Sequence, residues 1–308
     1  MIMSNSQFFL ILSFFCSSIQ VVLFAVVPQV IPQFLAFTFY RWDINVRMST
    51  IIGFVGGGVM AEAMINGVLS RDLAAPTDIA VGEPVEKRRD QLASVYGVTV
   101  SGDNRSVVKA CELVVIAIKP QSVPSALGPL RGSVDGSAIV MSIAAGTHID
   151  TVRNLLSHDA IARVMPNTPA QVGYGMSVWS ASDETTAEQR ELVASVLTVL
   201  GKVEYVDAEH YLDMATALSG SGPGYVLLFL EALIDAGVHI GLARPQAETM
   251  AKQTLLGTAV LADQSESHPA ELRNMVTSPG GTTAEGLLEL EAGGLRAIVA
   301  NAVVATYE

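Results

Sequence analysis

Ile51-Ile52-Gly53-Phe54-Val55-Gly56-Gly57-Gly58-Val59-Met60-Ala61 is the stretch of this 308-residue chain that decides its fold. The apolar run at residues 51–55 predicts a buried strand, and three glycines follow it directly. Ala61, Met64 and Val68 then recur at helical spacing, so a helix is expected to begin here. Strand, glycine turn and helix in this order predict the first unit of an α/β domain.

The small residues of this turn suit the binding of a dinucleotide. Gly56 allows a tight turn, Gly58 lets backbone N–H groups approach a pyrophosphate, and Ala61 lets the helix pack closely on the strand. The N-terminus of the helix also offers free N–H groups and a partial positive charge to phosphates. A glycine turn with no ligand is the alternative, but the strand and helix around it favour the dinucleotide.

Composition limits the classes of protein to consider. The chain has 18 Lys and Arg against 30 Asp and Glu, a net charge of −12, which argues against nucleic-acid binding. Half of its residues are apolar, so it can bury a large core, and its length suggests two domains. Cys16 and Cys111 are too few for a disulfide framework or a metal-ligand set. A reducing cytoplasm is therefore expected for the part after residue 48, with no metal.

Residues 1–47 form a separate apolar extension. Residues 8–40 are almost uncharged and long enough to span a bilayer, and Arg41 and Arg47 would then lie on the cytoplasmic side. No Lys or Arg precedes the apolar run, unlike in a secretory signal. Met48 stands just before the first strand, where a cytoplasmic enzyme would begin. We expect translation to start at Met48, with a membrane anchor as the second interpretation.

Apolar strands alternate with helices up to about residue 208, which predicts a doubly wound sheet. The strands are expected at residues 51–55, 78–82, 112–118, 138–143, 160–164, 176–179 and 203–206. Open α/β sheets bind ligands at the carboxyl ends of their strands. Lys119 and Asn167 stand at two such ends, although a lysine there can also be simply exposed.

Glu83 follows the second strand, where an acidic side chain can bond the adenosine ribose hydroxyls and repel a 2′-phosphate. Lys87, Arg88 and Arg89 lie on the next turn and could instead receive that phosphate. Ordinary surface charges at a helix start would give the same pattern. The choice between NADH and NADPH stays open, leaning slightly to NADH.

From about residue 209 the pattern becomes helical. Helices are expected at residues 211–218, 225–240, 246–262, 269–276 and 283–290, with residues 219–224 breaking the first from the second. The second is apolar nearly all round, which in a small helical domain requires a partner chain. A membrane span is the rival interpretation. Glu231, Asp235 and His239 on one face argue against it, and we expect the two carboxylates to be capping or interface residues rather than acid/base catalysts.

A second glycine-rich helix start, Thr277-Ser278-Pro279-Gly280-Gly281-Thr282-Thr283, precedes the last of these helices. Its glycines, hydroxyls and N–H groups suit a carboxylate anion. A helix N-cap is the alternative, but it needs only one Ser or Thr.

Five pieces of the chain together resemble pyrroline-5-carboxylate reductase, the last enzyme of proline synthesis. They occur in the family's order at residues 54–63, 117–121, 163–170, 217–223 and 278–283. The first piece alone is weak evidence, whereas the last two are highly specific. The resemblance implies a Rossmann domain at residues 48–208 and an all-helical domain at residues 209–308, which dimerises and carries the substrate site. It further implies that such dimers assemble into decamers.

The resemblance and the patterns above predict the site residues. Cofactor contacts are expected at Gly56, Gly57, Gly58, Val59, Met60, Glu83, Ala117, Ile118, Lys119, Pro120 and Asn167. Substrate contacts are expected at Ser278, Gly280, Gly281, Thr282 and Thr283, with Ser221 and Thr283 as the catalytic pair. Three positions depart from the family: Val59 replaces an Asn, Gly224 an Ala, and Leu228 a Thr found in some relatives.

The implied reaction is hydride transfer from NADPH or NADH to the C=N carbon of 1-pyrroline-5-carboxylate, giving L-proline. A protonated imine already accepts hydride, so the protein mainly needs to orient it. We expect the turn at residues 277–283 to hold the carboxylate and Ser221 to contact the ring nitrogen. A β-hydroxyacid dehydrogenase is the first alternative, but the helix at residues 225–240 lacks the lysine it needs. A catalytically silent nucleotide-binding scaffold is the second, because of Val59.

Overall fold

A computed structural model describes residues 50–308 of the chain. The interpretations of residues 1–47 as a mis-assigned start or a membrane anchor lie outside the described residues. The described part opens with one eight-stranded sheet. Its strands are β1 (Ile52–Val55), β2 (Ile79–Gly82), β3 (Thr99–Ser101), β4 (Leu113–Ile116), β5 (Ile139–Ser142), β6 (Ile161–Met165), β7 (Gly175–Ala181) and β8 (Gly201–Tyr205).

The spatial order of the strands is β3-β2-β1-β4-β5-β6-β7-β8, and β1 to β6 are mutually parallel. The first six strands have the order of a doubly wound dinucleotide-binding sheet, as predicted. β7 runs antiparallel to β6, and β8 is parallel to β7. Residues 166–174, with a 3₁₀ turn at Thr168–Val172, are all that joins β6 to β7. A parallel crossover needs a dozen or more residues, so the short link requires the chain to reverse.

Helices cover both faces of the sheet, which explains why its central strands are apolar on both sides. The helices of this region are α1 (Val59–Ser70), α2 (Glu86–Tyr96), α3 (Asn104–Val108), α4 (Val123–Leu127), α5 (Ile149–Leu156) and α6 (Ala187–Thr198). In β1, Phe54 belongs to the core cluster with α1 and α6, and Val55 to the cluster with α4 and α5. α1 buries Ala61, Met64 and Val68, the residues that predicted it.

Some short elements escaped the sequence prediction. β3 has three residues and a partly exposed pattern, so it lacks the apolar run that marked the other strands. α3 and α4 have five residues each, too few to show a helical period.

The helical region follows from residue 211. Its helices are α7 (Tyr211–Ala215), α8 (Gly222–His239), α9 (Arg244–Asp263), α10 (Pro269–Met275), α11 (Thr282–Ala292) and α12 (Leu295–Tyr307). The sequence did not indicate α12 as a separate element. The expected break at residues 219–224 is confined to one residue, Ser221. A π turn at Thr216–Gly220, closed by the bond from Ser221 N to Thr216 O (2.8 Å), carries α7 almost directly into α8.

α8 is largely uncovered in the single chain. Within it only Ile234 is buried, whereas Leu227, Leu228 and Phe229 are exposed. Uncovered apolar surface of this kind marks an interaction surface, as expected of a helix that needs a partner chain. Among residues 50–308, the run Tyr211–His239 is also the one candidate membrane span by length and composition. At its end, Asp235 pairs with Arg244 across the turn into α9 (2.8 Å), a surface ion pair rather than a catalytic arrangement.

Candidate active site

The glycine turn between β1 and α1 has the geometry that its sequence predicts. Gly56 has a φ of +100°, and its N–H donates to the Gly82 carbonyl at 2.8 Å. A Cβ on Gly56 would lie 2.6 Å from the Ala117 carbonyl oxygen, so a side chain has no room. Gly58 begins α1 with a φ of −68°, and the nearest atom to its Cβ position would be 3.9 Å away. Gly56 is therefore required by the turn itself, whereas Gly58 keeps space open beside the helix N-terminus.

Gly57 is held on both sides by charged side chains from the end of β2 and the start of α2. Its N–H donates to Glu83 Oε2 at 3.0 Å, and its carbonyl accepts from Arg88 Nε at 2.7 Å. The other carboxylate oxygen of Glu83 accepts from the Val85 N–H at 3.0 Å. The carboxylate that was expected near the adenosine ribose is thus fixed against the glycine turn.

Arg88 is oriented by a carboxylate from α1. Its Nη2 donates to Glu62 Oε2 at 2.7 Å, and the Tyr96 hydroxyl donates to Glu62 Oε1 at 3.0 Å. The hydrogen bond from Arg88 lowers the pKa of the Glu62 carboxyl, while burial and the adjacent carboxylate raise the pKa of Tyr96. This cluster was not predicted, because its members are far apart in sequence and each resembles a surface residue.

Two of the three basic side chains that could bind a 2′-phosphate already make hydrogen bonds within the protein. Arg88 donates to the Gly57 carbonyl of the glycine turn. Arg89 donates through Nη1 to the carbonyls of Glu83 and Pro84 at 2.8 and 2.9 Å. Lys87 is exposed and makes no hydrogen bond or ion pair with the described part of the chain. A 2′-phosphate beside α2 would therefore meet Lys87, which has no partner among the described residues, and Arg89, whose Nη1 is already hydrogen-bonded.

The end of β4 meets the glycine turn. Ala117 N donates to Val55 O at 2.9 Å, and the side chain of Ile118 also borders the Cβ position of Gly56. Lys119 is exposed and precedes a 3₁₀ turn at Pro120–Ser122. The structure thus brings Ala117 and Ile118 to the expected cofactor site and leaves Lys119 at its rim.

Asn167 lies at the end of β6, and each polar atom of its amide makes a hydrogen bond within the protein. Nδ2 donates to the Ser219 carbonyl at 3.0 Å, and Oδ1 accepts from the Met176 N–H at 2.9 Å. Its contacts therefore run to the π turn and to β7. Ser221, the expected catalytic hydroxyl, is half-buried directly after that π turn.

The second glycine-rich turn forms the N-terminus of α11. Gly280 has a φ of +68°, and Gly281 is the N-cap residue, with no side-chain cap on the helix. Thr282 and Thr283 are exposed in the first turn, and Ser278 is exposed just before it. Free N–H groups and three hydroxyls here suit an anion. Within residues 50–308 no side-chain hydrogen bond or ion pair joins this turn to the glycine turn at Gly56, so the single chain does not link the two expected half-sites directly.

A buried arginine that the sequence analysis did not assign to any role links the sheet to the helical region. Arg163 of β6 is 3% exposed and donates to Glu209 at 2.9 Å and Asp213 at 2.7 Å. Glu209 also accepts from the Ile149 N–H at 2.9 Å, at the start of α5. An arginine inside an otherwise apolar strand needs an anionic partner when buried, and that was the available signal.

Known protein families match both the sheet region and the helical region of this chain. A family model described as "Pyrroline-5-carboxylate reductase dimerisation" matches residues 209–308, and one described as "NADP oxidoreductase coenzyme F420-dependent" matches residues 51–146. A pyrroline-5-carboxylate reductase of Synechocystis is 42% identical over 84% of this chain and 97% of its own length.

Solved structures give the same result. A pyrroline-5-carboxylate reductase of Coxiella burnetii is 33% identical with a TM-score of 0.79, covering 84% of this chain and 96% of that one. The Plasmodium falciparum pyrroline carboxylate reductase, solved with NADP bound, is 30% identical with a TM-score of 0.76, covering 84% and 95%.

Proposed function

Because the chain belongs to the pyrroline-5-carboxylate reductase family, we infer that it reduces 1-pyrroline-5-carboxylate to L-proline with NADPH or NADH. The observation that carries this function is the 42% identity over 97% of a reductase, which spans both the glycine turn and the helical region. The substrate of these relatives supports the imine as the substrate here, and the geometry of the turn at Gly56 supports a dinucleotide site in this chain.

The glycine turn at residues 56–58 binds the cofactor, and the turn at residues 277–283 binds the substrate together with Ser221. Gly58 and the N–H groups at the start of α1 face the space in which a pyrophosphate fits. A bound nicotinamide supplies the hydride. The exposed N–H groups and hydroxyls of Ser278, Thr282 and Thr283 hold the substrate carboxylate, and the Ser221 hydroxyl contacts the ring nitrogen. Orientation of this kind accounts for much of the rate, since a protonated imine needs no further activation by the protein.

The helical region makes the enzyme an oligomer. Two chains pair through the exposed apolar side chains of α8, and this pairing brings the α11 turn of one chain toward the site. We place the boundary between the dinucleotide-binding and helical domains at residues 208 and 209, and we propose that dimers assemble into decamers. Sedimentation or light scattering at several protein concentrations measures the oligomer directly.

We place the enzyme in the cytoplasm, with translation starting at Met48. The short lead from Met48 into β1 supports this proposal. Fractionation of native extract tests it, because a full-length band in washed membranes would contradict the Met48 start and favour the membrane anchor.

Oxidation of NADPH and NADH in the presence of 1-pyrroline-5-carboxylate tests the activity. We expect turnover with the imine and none with β-hydroxyacids and the oxidised cofactors. A protein that binds NADPH without turnover would instead be the silent scaffold. Ser221→Ala and Thr283→Val should each lower kcat/KM for the imine. Ser195→Ala and Thr198→Val are matched controls, because these hydroxyls bond only carbonyls of their own helix α6. Unchanged constants in both site variants would remove Ser221 and Thr283 from the mechanism.

A further inference from the structure

Three alternate residues at the carboxyl end of β6 all contact one helical segment. Arg163, Met165 and Asn167 are spaced by two residues, so they project from the same side of the extended chain. The segment that they meet begins at Glu209 and ends at the π turn before Ser221.

Arg163 fixes the near end of the segment. Its two ion pairs reach Glu209, just before α7, and Asp213, within α7. A buried guanidinium that bonds two carboxylates has a narrowly defined geometry, and removing either side leaves an unpaired charge. α7 therefore cannot rotate or slide freely against the sheet.

Met165 fixes the far end by close packing. A Cβ on Gly220 would lie 2.6 Å from Met165 Cε, so the π turn packs directly on the end of the Met165 side chain, which would have to move for any larger residue. Gly220 has a negative φ, which a side chain could adopt without backbone strain. Contact with Met165 is the constraint that the structure shows at this position.

Asn167 satisfies a carbonyl that the helix itself cannot. In a regular helix the Ser219 carbonyl would accept from the N–H of residue 223, but residue 223 is proline and has no N–H. Asn167 Nδ2 donates to this carbonyl instead, at 3.0 Å. The π turn and the proline thus create an unpaired carbonyl two residues before Ser221, and β6 supplies its partner.

From these contacts we propose that Asn167 is a positioning residue for the substrate hydroxyl Ser221 rather than a contact of the dinucleotide. It acts through the Ser219 carbonyl. Its Oδ1 is held by the Met176 N–H at 2.9 Å, which sets the direction in which Nδ2 points. π turns often occur at functional sites, where they displace one residue from the regular helical path. Ser221 directly follows the turn and closes it through its N–H.

The proposal rests on the reductase activity inferred above, so the test measures cofactor binding and turnover separately. Asn167→Asp keeps the acceptor for Met176 and places a carboxylate oxygen against the Ser219 carbonyl. We expect the Kd for NADPH, from fluorescence titration, to stay within about twofold of the parent. We expect kcat/KM for the imine to fall at least tenfold, equal to about 1.4 kcal/mol of transition-state stabilisation. Gln171→Glu is the matched control, since this exposed amide of the same loop bonds only Thr168 O.

A second variant removes the same hydrogen bond without adding a charge. Asn167→Ala deletes the amide and leaves the Ser219 carbonyl without this donor. It should show the same split, with a lower kcat/KM for the imine and an unchanged Kd for NADPH. If Asn167→Asp does not fold, Asn167→Ala decides alone.

Two results would overturn the proposal. One concerns a folded Asn167→Asp protein that binds NADPH more weakly than the parent. If this weaker binding accounts for the whole loss of kcat/KM, Asn167 is a cofactor contact. The other is parent-like turnover in Asn167→Asp, or in Asn167→Ala if that variant decides alone. A parent enzyme that binds NADPH but does not oxidise it with the imine would contradict the proposed function instead, which keeps the two failures distinct.

Discussion

Gly56 and Gly58 stand two residues apart in one turn. Alanine at Gly56 should lower the stability of the protein, whereas alanine at Gly58 should weaken the binding of NADPH. In Gly56→Ala the new Cβ would lie 2.6 Å from a backbone oxygen and 2.6 Å from Ile118 Cγ2, at a φ of +100°. Overpacking costs about 1–3 kcal/mol, and a strained φ costs about as much again. We expect a loss of about 3 kcal/mol in the free energy of unfolding, or roughly 6–12 °C in Tm for a domain of this size.

In Gly58→Ala the free protein should barely change. The residue has a φ of −68° and a ψ of 178°, which alanine adopts readily, and the nearest atom would be 3.9 Å away. The methyl group instead occupies space that a pyrophosphate needs. A misfit of about 1–3 kcal/mol in the complex weakens NADPH binding by roughly five- to 150-fold.

Thermal unfolding without cofactor and fluorescence titration with NADPH measure the two effects independently. Gly128→Ala is the control, because its Cβ would meet nothing within 4 Å and its φ of −51° suits alanine. A Gly56→Ala protein that melts with the parent would refute the packing argument. A Gly58→Ala protein with parent-like affinity for NADPH would refute the placement of the pyrophosphate.

Three further predictions concern the charged cluster at the glycine turn and a buried thiol that lies against Gly53 of β1. Glu83→Gln removes a negative charge beside the expected ribose site, so the ratio of kcat/KM for NADPH over NADH should rise, by roughly tenfold from one charge interaction of about 1.4 kcal/mol. Because Arg88 lowers the pKa of Glu62 below its usual 4.5, their stabilisation is present above that pH and is lost as pH falls through the folded value. Urea unfolding from pH 6 to 3 should therefore show a steeper loss for the parent than for Glu62→Gln. Burial raises the pKa of Cys111 to about 11, so maleimide at pH 7.5 should label it in urea but not in the native protein, as peptide mass spectrometry would show.

The central strands of the sheet could be predicted because burial on both faces leaves an unbroken apolar run, as in Leu113–Ile116. β3 could not, because an edge strand of three residues carries no such run. The direction of β7 was also missed, although the shortness of residues 166–174 contained the information. Regular periodicity predicts elements well, whereas strand direction depends on the length of the connection.

The glycine turn could be predicted at the level of single residues, because its constraints are local. Gly56 needs a positive φ, and that need shows in the sequence. The partners of Gly57 could not be predicted, since Glu83 and Arg88 reach it from 26 and 31 residues away. Asn167 shows the same limit. Its place at a strand end suggested a cofactor contact, whereas the fold directs its amide toward Ser219.

The two halves of the site differ in what they need to become functional. The glycine turn is complete within one chain, since Glu83 and Arg88 already fix its backbone. The turn that presents Thr283 is exposed on a helical region whose apolar face is also uncovered. We propose that association of two chains buries that face and thereby stabilises the geometry of the second half. NADPH affinity should therefore persist on dilution to concentrations at which the oligomer dissociates, whereas reduction of the imine should decline with the oligomer.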